Sequence, residues 1–312
     1  MTKSRLIPYL EAIFAVAIWG ASFIATKVTL QDVHPVTIVW VRFTIGVVIL
    51  GAAVILRRQF ALPPRKEWGY FALLGFLGIT FHQWLQSNGL QTSEASTTAW
   101  IVSTTPVFMA LLGWLVLKEG LGLMKTLGIA LAFVGVLLVS SKGDLASISV
   151  GKFGASGDIL ILVSAVNWAV FSILSRRGLK AYPASLMMFY LMALGWMFTS
   201  ILFFAGPSFG TSSVQFIHDF LSGPGFGDIS NLTVNGWIGI LFLGVFCSGL
   251  AYIAWYDALQ ALSTAQTGVF LYIEPLVAVV VAAIVLDEEI TWISLLGGAI
   301  ILFGVWLVNS EK

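Results

Sequence analysis

The apolar residues of this chain arrive in runs about one bilayer long, parted by short clusters of Pro, Gly and charge. At about 1.5 Å per helical residue, a run of about 20 residues covers roughly 30 Å of hydrocarbon. Hydrophobic residues make up 58% of the 312 and charged residues only 10%, whereas soluble domains carry about 25% charge. So sparse a set of charges cannot cover a water-facing surface, and the solvent these runs imply is lipid. The runs fall near residues 8–28, 36–56, 68–88, 95–117, 124–140, 157–176, 184–206, 236–257, 264–286 and 291–309. They predict an all-α integral membrane protein of ten transmembrane helices. Lys3 and Arg5 resemble the start of a secretory signal, but the run behind them is span-length and no small-residue cleavage site follows, so it is expected to stay as the first helix. The one long connection, Pro207 to Asn235, reads as a spacer in which Val214–Leu221 has the length of a short interfacial helix.

Loops rich in Lys and Arg stay on the cytoplasmic side. Lys3, Arg5, Arg57, Arg58, Arg65, Lys66, Lys118, Lys125, Arg176, Arg177, Lys180 and Lys312 fall on the side of the N-terminus, and Lys27, Lys142 and Lys152 on the other. Both termini are therefore expected in the cytoplasm, with the chain in a bacterial inner membrane.

Sliding the chain by 169 residues lays the third to fifth runs on the eighth to tenth. Trp68 then meets Trp237, Gly75 Gly244, Pro106 Pro275, Glu119 Glu288, Gly128 Gly297 and Gly135 Gly304. Leu and Val coincide freely in apolar sequence, but Trp, Pro, Glu and Gly do not. At an offset of 149, Trp19 meets Trp168 and Lys27 meets Arg176. The chain is expected to divide into five-helix repeats over 1–141 and 157–312, joined by a linker over 142–156. Five is odd, so the second repeat enters the membrane upside down, with Glu119 at the cytoplasmic face and Glu288 at the outer one. Inverted repeats give a secondary transporter two nearly equivalent states, open to opposite sides of a site near the midplane.

The ordered motifs are Ile18-Trp19-Gly20, Val41-Arg42-Phe43, Thr105-Pro106-Val107-Phe108 leading to Leu117-Lys118-Glu119, and Gly128 with Gly135. The second half answers with Gly249-Leu250-Ala251-Tyr252, Tyr272-Ile273-Glu274-Pro275-Leu276, Leu286-Asp287-Glu288, and Gly297 with Gly304. Over nearly its whole length the chain thus resembles the drug/metabolite transporter superfamily, in its EamA-type ten-helix branch. The resemblance implies secondary transport, commonly export of amino acids or related metabolites. It also implies a central cavity formed mainly by the first, third, fourth, sixth, eighth and ninth helices. The better-understood members export aromatic or hydrophobic amino acids.

Lipid-facing positions have no use for hydrogen-bonding groups, so polar and aromatic stripes within the runs mark a cavity or a helix contact. Trp19, Ser22 and Thr26 share one face of the first run; Asn167, Trp168, Ser172 and Ser175 form the equivalent stripe in the sixth. His82 and Gln83 in the third run, Trp100 and Ser103 in the fourth, Ser248 and Tyr252 in the eighth and Tyr272 in the ninth complete a candidate binding surface. Aromatic walls with neutral polar tips suit an aromatic or branched amino acid. Trp40, Trp68, Trp237 and Trp292, near run ends, read as interfacial belts. The small-residue stripes Ala17/Ala21/Ala25 and Gly128/Ala132 read as packing surfaces.

Glu274, just before the helix-loosening Pro275, has two readings. It either carries a proton through the transport cycle or forms a buried ion pair with Arg42. His82 is the side chain best able to change charge near pH 7.

Other chemistries find no support. The net charge of +1 and the absence of a basic stripe argue against nucleic acid. The lone Cys247 allows neither an internal disulfide nor a Cys/His metal cluster, and His34, His82 and His218 form no catalytic set. No G-x-x-x-x-G-K-[ST] loop occurs, which excludes an ATP-driven pump within this chain. No cofactor or metal is expected; the partners are the bilayer and a small-molecule substrate. The smaller multidrug relatives use a carboxylate in the middle of their first helix, a region that here carries Trp19, and phosphate cargo would need more intramembrane cations than Arg42. Drug or metabolite efflux by proton antiport is the alternative, with a membrane enzyme or a channel further behind.

Overall fold

A computed structural model describes residues 3–118, 120, 122–144, 154–205, 224–262 and 269–310. Glu119, most of the expected linker, Val214–Leu221 and the start of the ninth run lie outside them. Among the described residues every regular element is helical, the outcome lipid demands of a chain whose backbone has no water to bond.

The apolar runs form rods: α1 (Lys3–Thr29), α2 (Pro35–Leu56), α3 over 68–89, α4 over 95–117, α5 (Leu123–Ser140), α6 (Ser156–Ala181), α7 (Ala184–Ala205), α8 (Val234–Ala261), α9 (Ile273–Val285) and α10 (Trp292–Ser310). Eight of them are long and apolar enough to cross a bilayer. The other two fall short for local reasons. The second half of α3 is studded with His82, Gln83, Gln86 and Asn88, and α9 as described has 13 residues.

Four rods are irregular, in matched places. Pro106 has no N–H to give the Val102 carbonyl, so α4 breaks at Ser103–Thr104. Hydroxyls of Thr105, Thr104 and Ser103 instead donate to the carbonyls of Val102, Ile101 and Trp100, at 2.7, 2.6 and 2.7 Å. Ahead of Pro275, the repeat mate of Pro106, the chain turns at 271–272 before α9 begins. α3 and α8 widen into π-helical turns at Phe76–Phe81 and Phe242–Leu250. A shift of 169 carries the first of these onto 245–250, inside the second. Lys118 and Asp287, 169 residues apart, both adopt the left-handed conformation, with φ of 56° and 54°. For a residue with a Cβ that conformation costs roughly 1–2 kcal/mol, so its occurrence at both positions points to a shared way of ending a rod.

Packing follows the same correspondence. α1 packs on α8 and α9, and α6 on α3 and α4; α2 packs on α8, and α7 on α3. α2 meets α7, and α5 meets α10. Replacing each rod by the one five places along maps this contact set onto itself. The α5–α10 contact is backbone-close, because small residues let helices approach where lipid supplies no hydrophobic drive. A Cβ on Gly128 would stand 2.5 Å from the Gly304 carbonyl, and one on Gly135 2.7 Å from the Gly297 carbonyl. Outward-facing Val48, Phe133, Ile201 and Ile284 are each more than half exposed. In water such a girdle would drive aggregation; in hydrocarbon it has no cost.

Candidate transport site

Buried polar groups converge on Arg42 of α2. The residue is 5% exposed, and its guanidinium donates from Nε to Ser248 Oγ at 3.0 Å and from Nη1 to Gln83 Oε1 at 3.1 Å. Ser248 lies within the π-turn of α8, and Gln83 two residues beyond that of α3. Each π-turn also receives a side chain from a first rod. Trp19 of α1 donates its indole N–H to the Cys247 carbonyl at 3.2 Å, and Asn167 of α6 donates from Nδ2 to the Leu77 carbonyl at 2.8 Å. Carbonyls inside these wide turns are thus satisfied by side chains that the turns in turn hold in place.

An aromatic group stands on either side of Arg42. On the α8 side the Trp19 ring meets Tyr252 and Trp255, each at a centroid distance of 5.4 Å. On the α3 side His82 tilts over Trp168 at 4.6 Å, and Trp168 over Phe171 at 4.7 Å. Trp19, Trp168, Tyr252 and Phe171 share one apolar cluster. His82 is 5% exposed, and its Nδ1 is buried with no hydrogen-bond partner. The structure therefore brings Trp19, His82, Gln83, Asn167, Trp168 and Tyr252 together around Arg42.

Other expected members make different contacts. The Ser22 hydroxyl is spent on the Trp19 carbonyl at 2.6 Å, within α1. Trp100 is 2% exposed and wedged under α10, where a Cβ on Gly298 would lie 2.5 Å from its ring. Ser103 donates to the Trp100 carbonyl, and Tyr272 Oη accepts from Asn309 at 3.1 Å. Trp100 and Tyr272 belong to a second cluster with Val136 and Ile301, among α4, α5, α9 and α10. Helical period places these residues on polar stripes, but only the docking of α10 decides what they touch. Trp40, expected in an interfacial belt, instead stacks on Phe203 of α7 at 4.4 Å and donates to Ser200 Oγ at 2.9 Å.

The expected Arg42–Glu274 ion pair does not form here: the four ion pairs among the described residues involve neither group. Neutral oxygens occupy the guanidinium, and Glu274 is carried by α9, which packs on α1 rather than α2. There the Glu274 carbonyl stands 2.5 Å from where a Cβ on Gly20 would be. Among the described residues nothing pairs with the Glu274 carboxylate.

Charged groups close both ends of the bundle, which sequence reasoning missed. The Glu288 carboxylate, beyond α9, accepts the N–H groups of Ala95 and Ser96 at 2.7 and 3.0 Å and the Ser96 hydroxyl at 2.6 Å. It therefore caps the start of α4, where unbonded N–H groups and the helix dipole favour an anion. Lys27 Nζ lies 3.9 Å away, and Lys142 pairs with Glu94. These residues rim a cavity of about 540 Å³. At the other end Arg57 makes a two-bond fork with Asp257, 2.6 Å in each arm, which raises the guanidinium above its usual pKa. Arg177 of α6 pairs with Glu67, just ahead of α3, at 2.7 Å. The available signal was Glu288 in the 169-residue repeat, whose cap on α4 only the fold reveals.

Bilayer-length apolar rods packed around buried polar and aromatic groups define a multi-pass helical membrane protein. The chain belongs to the EamA-like transporter family, whose model matches residues 6–141 and again 155–310. Membership places it in the drug/metabolite transporter superfamily, as its motifs implied. An uncharacterized transporter of Archaeoglobus fulgidus is 29% identical over 295 residues, covering 95% of this chain and 94% of that relative. The uncharacterized transporter YvbV of Bacillus subtilis is 27% identical over 299 residues, covering 96% and 90%. One solved crystal structure superposes with a TM-score of 0.64 over 98% of this chain and 99% of its own, at 17% identity, a likeness of fold.

Proposed function

We propose that this transporter exports aromatic or hydrophobic amino acids, or closely related small metabolites, across a bacterial inner membrane by alternating access. In this reading ten spans form two inverted repeats, over 1–141 and 157–312, about a linker over 142–156, with both termini cytoplasmic. The observation that carries it is the arrangement of two aromatic groups, Trp19–Tyr252–Trp255 and His82–Trp168–Phe171, beside the two rods whose Ser248 and Gln83 hold a buried guanidinium. Rings at these spacings offer a flat apolar side chain a stacking slot, while Gln83, Asn167 and Ser248 supply a few fixed polar contacts. Trp100, Ser103 and Tyr272 join the lining as α4 and α9 shift about their proline breaks, and Ser22 follows with α1. The two-repeat reading is supported by the twofold family match, the self-mapping contacts and the paired left-handed residues.

A second reading, efflux driven by proton antiport, is favoured by one observation: the Glu274 carboxylate has no partner among the described residues and is free to take up and release a proton. Proteoliposome counterflow tests both. Labelled phenylalanine or leucine should exchange against unlabelled solute and saturate; linear, unsaturable flux, or none for any amino acid, would sink the export reading. An imposed pH gradient that drives accumulation would favour antiport.

A further inference from the structure

A guanidinium carries five N–H donors and stays charged at any accessible pH. Arg42 engages two of the five, and both acceptors are neutral oxygens of Ser248 and Gln83. No carboxylate among the described residues lies within ion-pair distance of it. A cation buried to 5% exposure without a counter-charge is among the costlier groups a fold can carry, and within a membrane span it persists where it has a purpose. Its surroundings are short of an anion rather than of contacts. The His82 imidazole, adjacent in the chain to Gln83, buries an unpartnered Nδ1, and Cys247 and Tyr252 lie within a turn of Ser248 on α8. Tyr252 follows Ser248, the acceptor of Arg42 Nε, by one helical turn of α8, and the Trp19 indole bonds the carbonyl of the neighbouring Cys247 and meets the Tyr252 ring.

We propose that Arg42 is the anchor for a carboxylate of the cargo. The anion takes the unused N–H groups of the guanidinium, displacing or joining Gln83 and Ser248, while the body of the substrate lies against Trp19 and Tyr252. A planar fork matches a carboxylate with two parallel hydrogen bonds, a geometry that an amine or a carboxamide head group does not satisfy. The proposal deepens the transport reading and rests on it: it restricts the cargo to carboxylates with an apolar body, amino acids among them, and excludes amines and amides of the same shape.

The test uses the purified full-length protein and reads thermal stabilisation by phenylalanine, phenylacetate, phenylalaninamide, phenethylamine and the aliphatic acid hexanoate. Phenylalanine and phenylacetate should bind at least about tenfold more tightly than the amide and the amine, the scale of a charge-assisted bond. Arg42→Lys, which keeps the charge and loses the fork, should bring the acid and amide sets within about threefold of each other. If no carboxylate stabilises the wild-type protein, or the acid preference survives in Arg42→Lys, the anchor is overturned. Equal binding of phenethylamine and phenylalanine also removes the anchor but leaves an aromatic slot standing. Hexanoate matching phenylacetate supports the anchor and removes the aromatic preference instead. Should Arg42→Lys fail to fold, wild-type protein treated with phenylglyoxal during counterflow decides, read by the mass of the Arg42 peptide. Protection by phenylacetate and not by phenylalaninamide is expected. Equal modification with either, or an Arg42 never modified, overturns the proposal.

Discussion

At the scale of single residues, the polar groups of the site are bonded across to other rods, Arg42 and Trp19 to α8, Arg42 and Asn167 to α3. Trp168 makes ring contacts instead, lying tilted against His82 and Phe171 rather than serving a backbone group. Trp168→Ala is expected to lower transport by about tenfold, the scale of one lost aromatic contact and its burial, with expression intact; unchanged uptake kinetics in proteoliposomes would remove it from the site. Glu274→Gln should abolish the response to an imposed pH gradient while leaving counterflow, because an amide exchanges no proton. A full gradient response in that variant would end the proton role. The stripes of Trp19, His82, Gln83, Asn167, Trp168 and Tyr252 are legible in sequence because polar and aromatic groups in a lipid-spanning run stand out by their cost. Arg42 is legible as an anomaly, but its acceptor Ser248 is 206 residues away and no local pattern connects them.

At the scale of elements, lipid composition and helix geometry set different boundaries. The run expected at 157–176 continues to Ala181, and that at 236–257 extends over Val234–Ala261. Charge marks where hydrocarbon ends, while backbone hydrogen bonding carries a helix further into the interface. The π-turns of α3 and α8 left only a faint trace, glycines at Gly75 and Gly244, since an extra residue in a turn is chosen by what packs against it. The α5–α10 seam was visible as small-residue spacing. Gly135→Val would drive a side chain into the Gly297 carbonyl and Ile301, an overpacking worth about 1–3 kcal/mol, and should lower the thermal midpoint and folded yield. Glu288→Ala should cost about 0.5–2 kcal/mol through the lost cap on α4, read as a lower melting temperature; an unaltered melt would show the cap to be replaceable.

At the scale of the whole molecule, the self-mapping contact set matters more than any one contact. If the repeats are inverted, Glu119 and Glu288 lie on opposite faces of the membrane. With the buried Cys247 replaced by serine, single cysteines at the two positions separate the cases. An impermeant maleimide applied to intact cells should label 288 directly and 119 only after permeabilisation; labelling of both from one side would undo the two-repeat reading. The cavity of about 540 Å³ rimmed by Lys27, Glu94, Lys142 and Glu288 then marks the outer end.

Sequence alone determined that the chain folds as apolar helices of bilayer length, where most of them lie and which residues recur. Lipid reads composition and backbone hydrogen bonding is local, so both are written along the chain. Tertiary structure alone decided that Arg42 sits between α8 and α3 without a counter-charge among the described residues, that Trp100 and Tyr272 pack towards α10, and that Glu288 caps α4. Those outcomes depend on which faces of distant rods meet, and a helical period names a face without naming what it will touch.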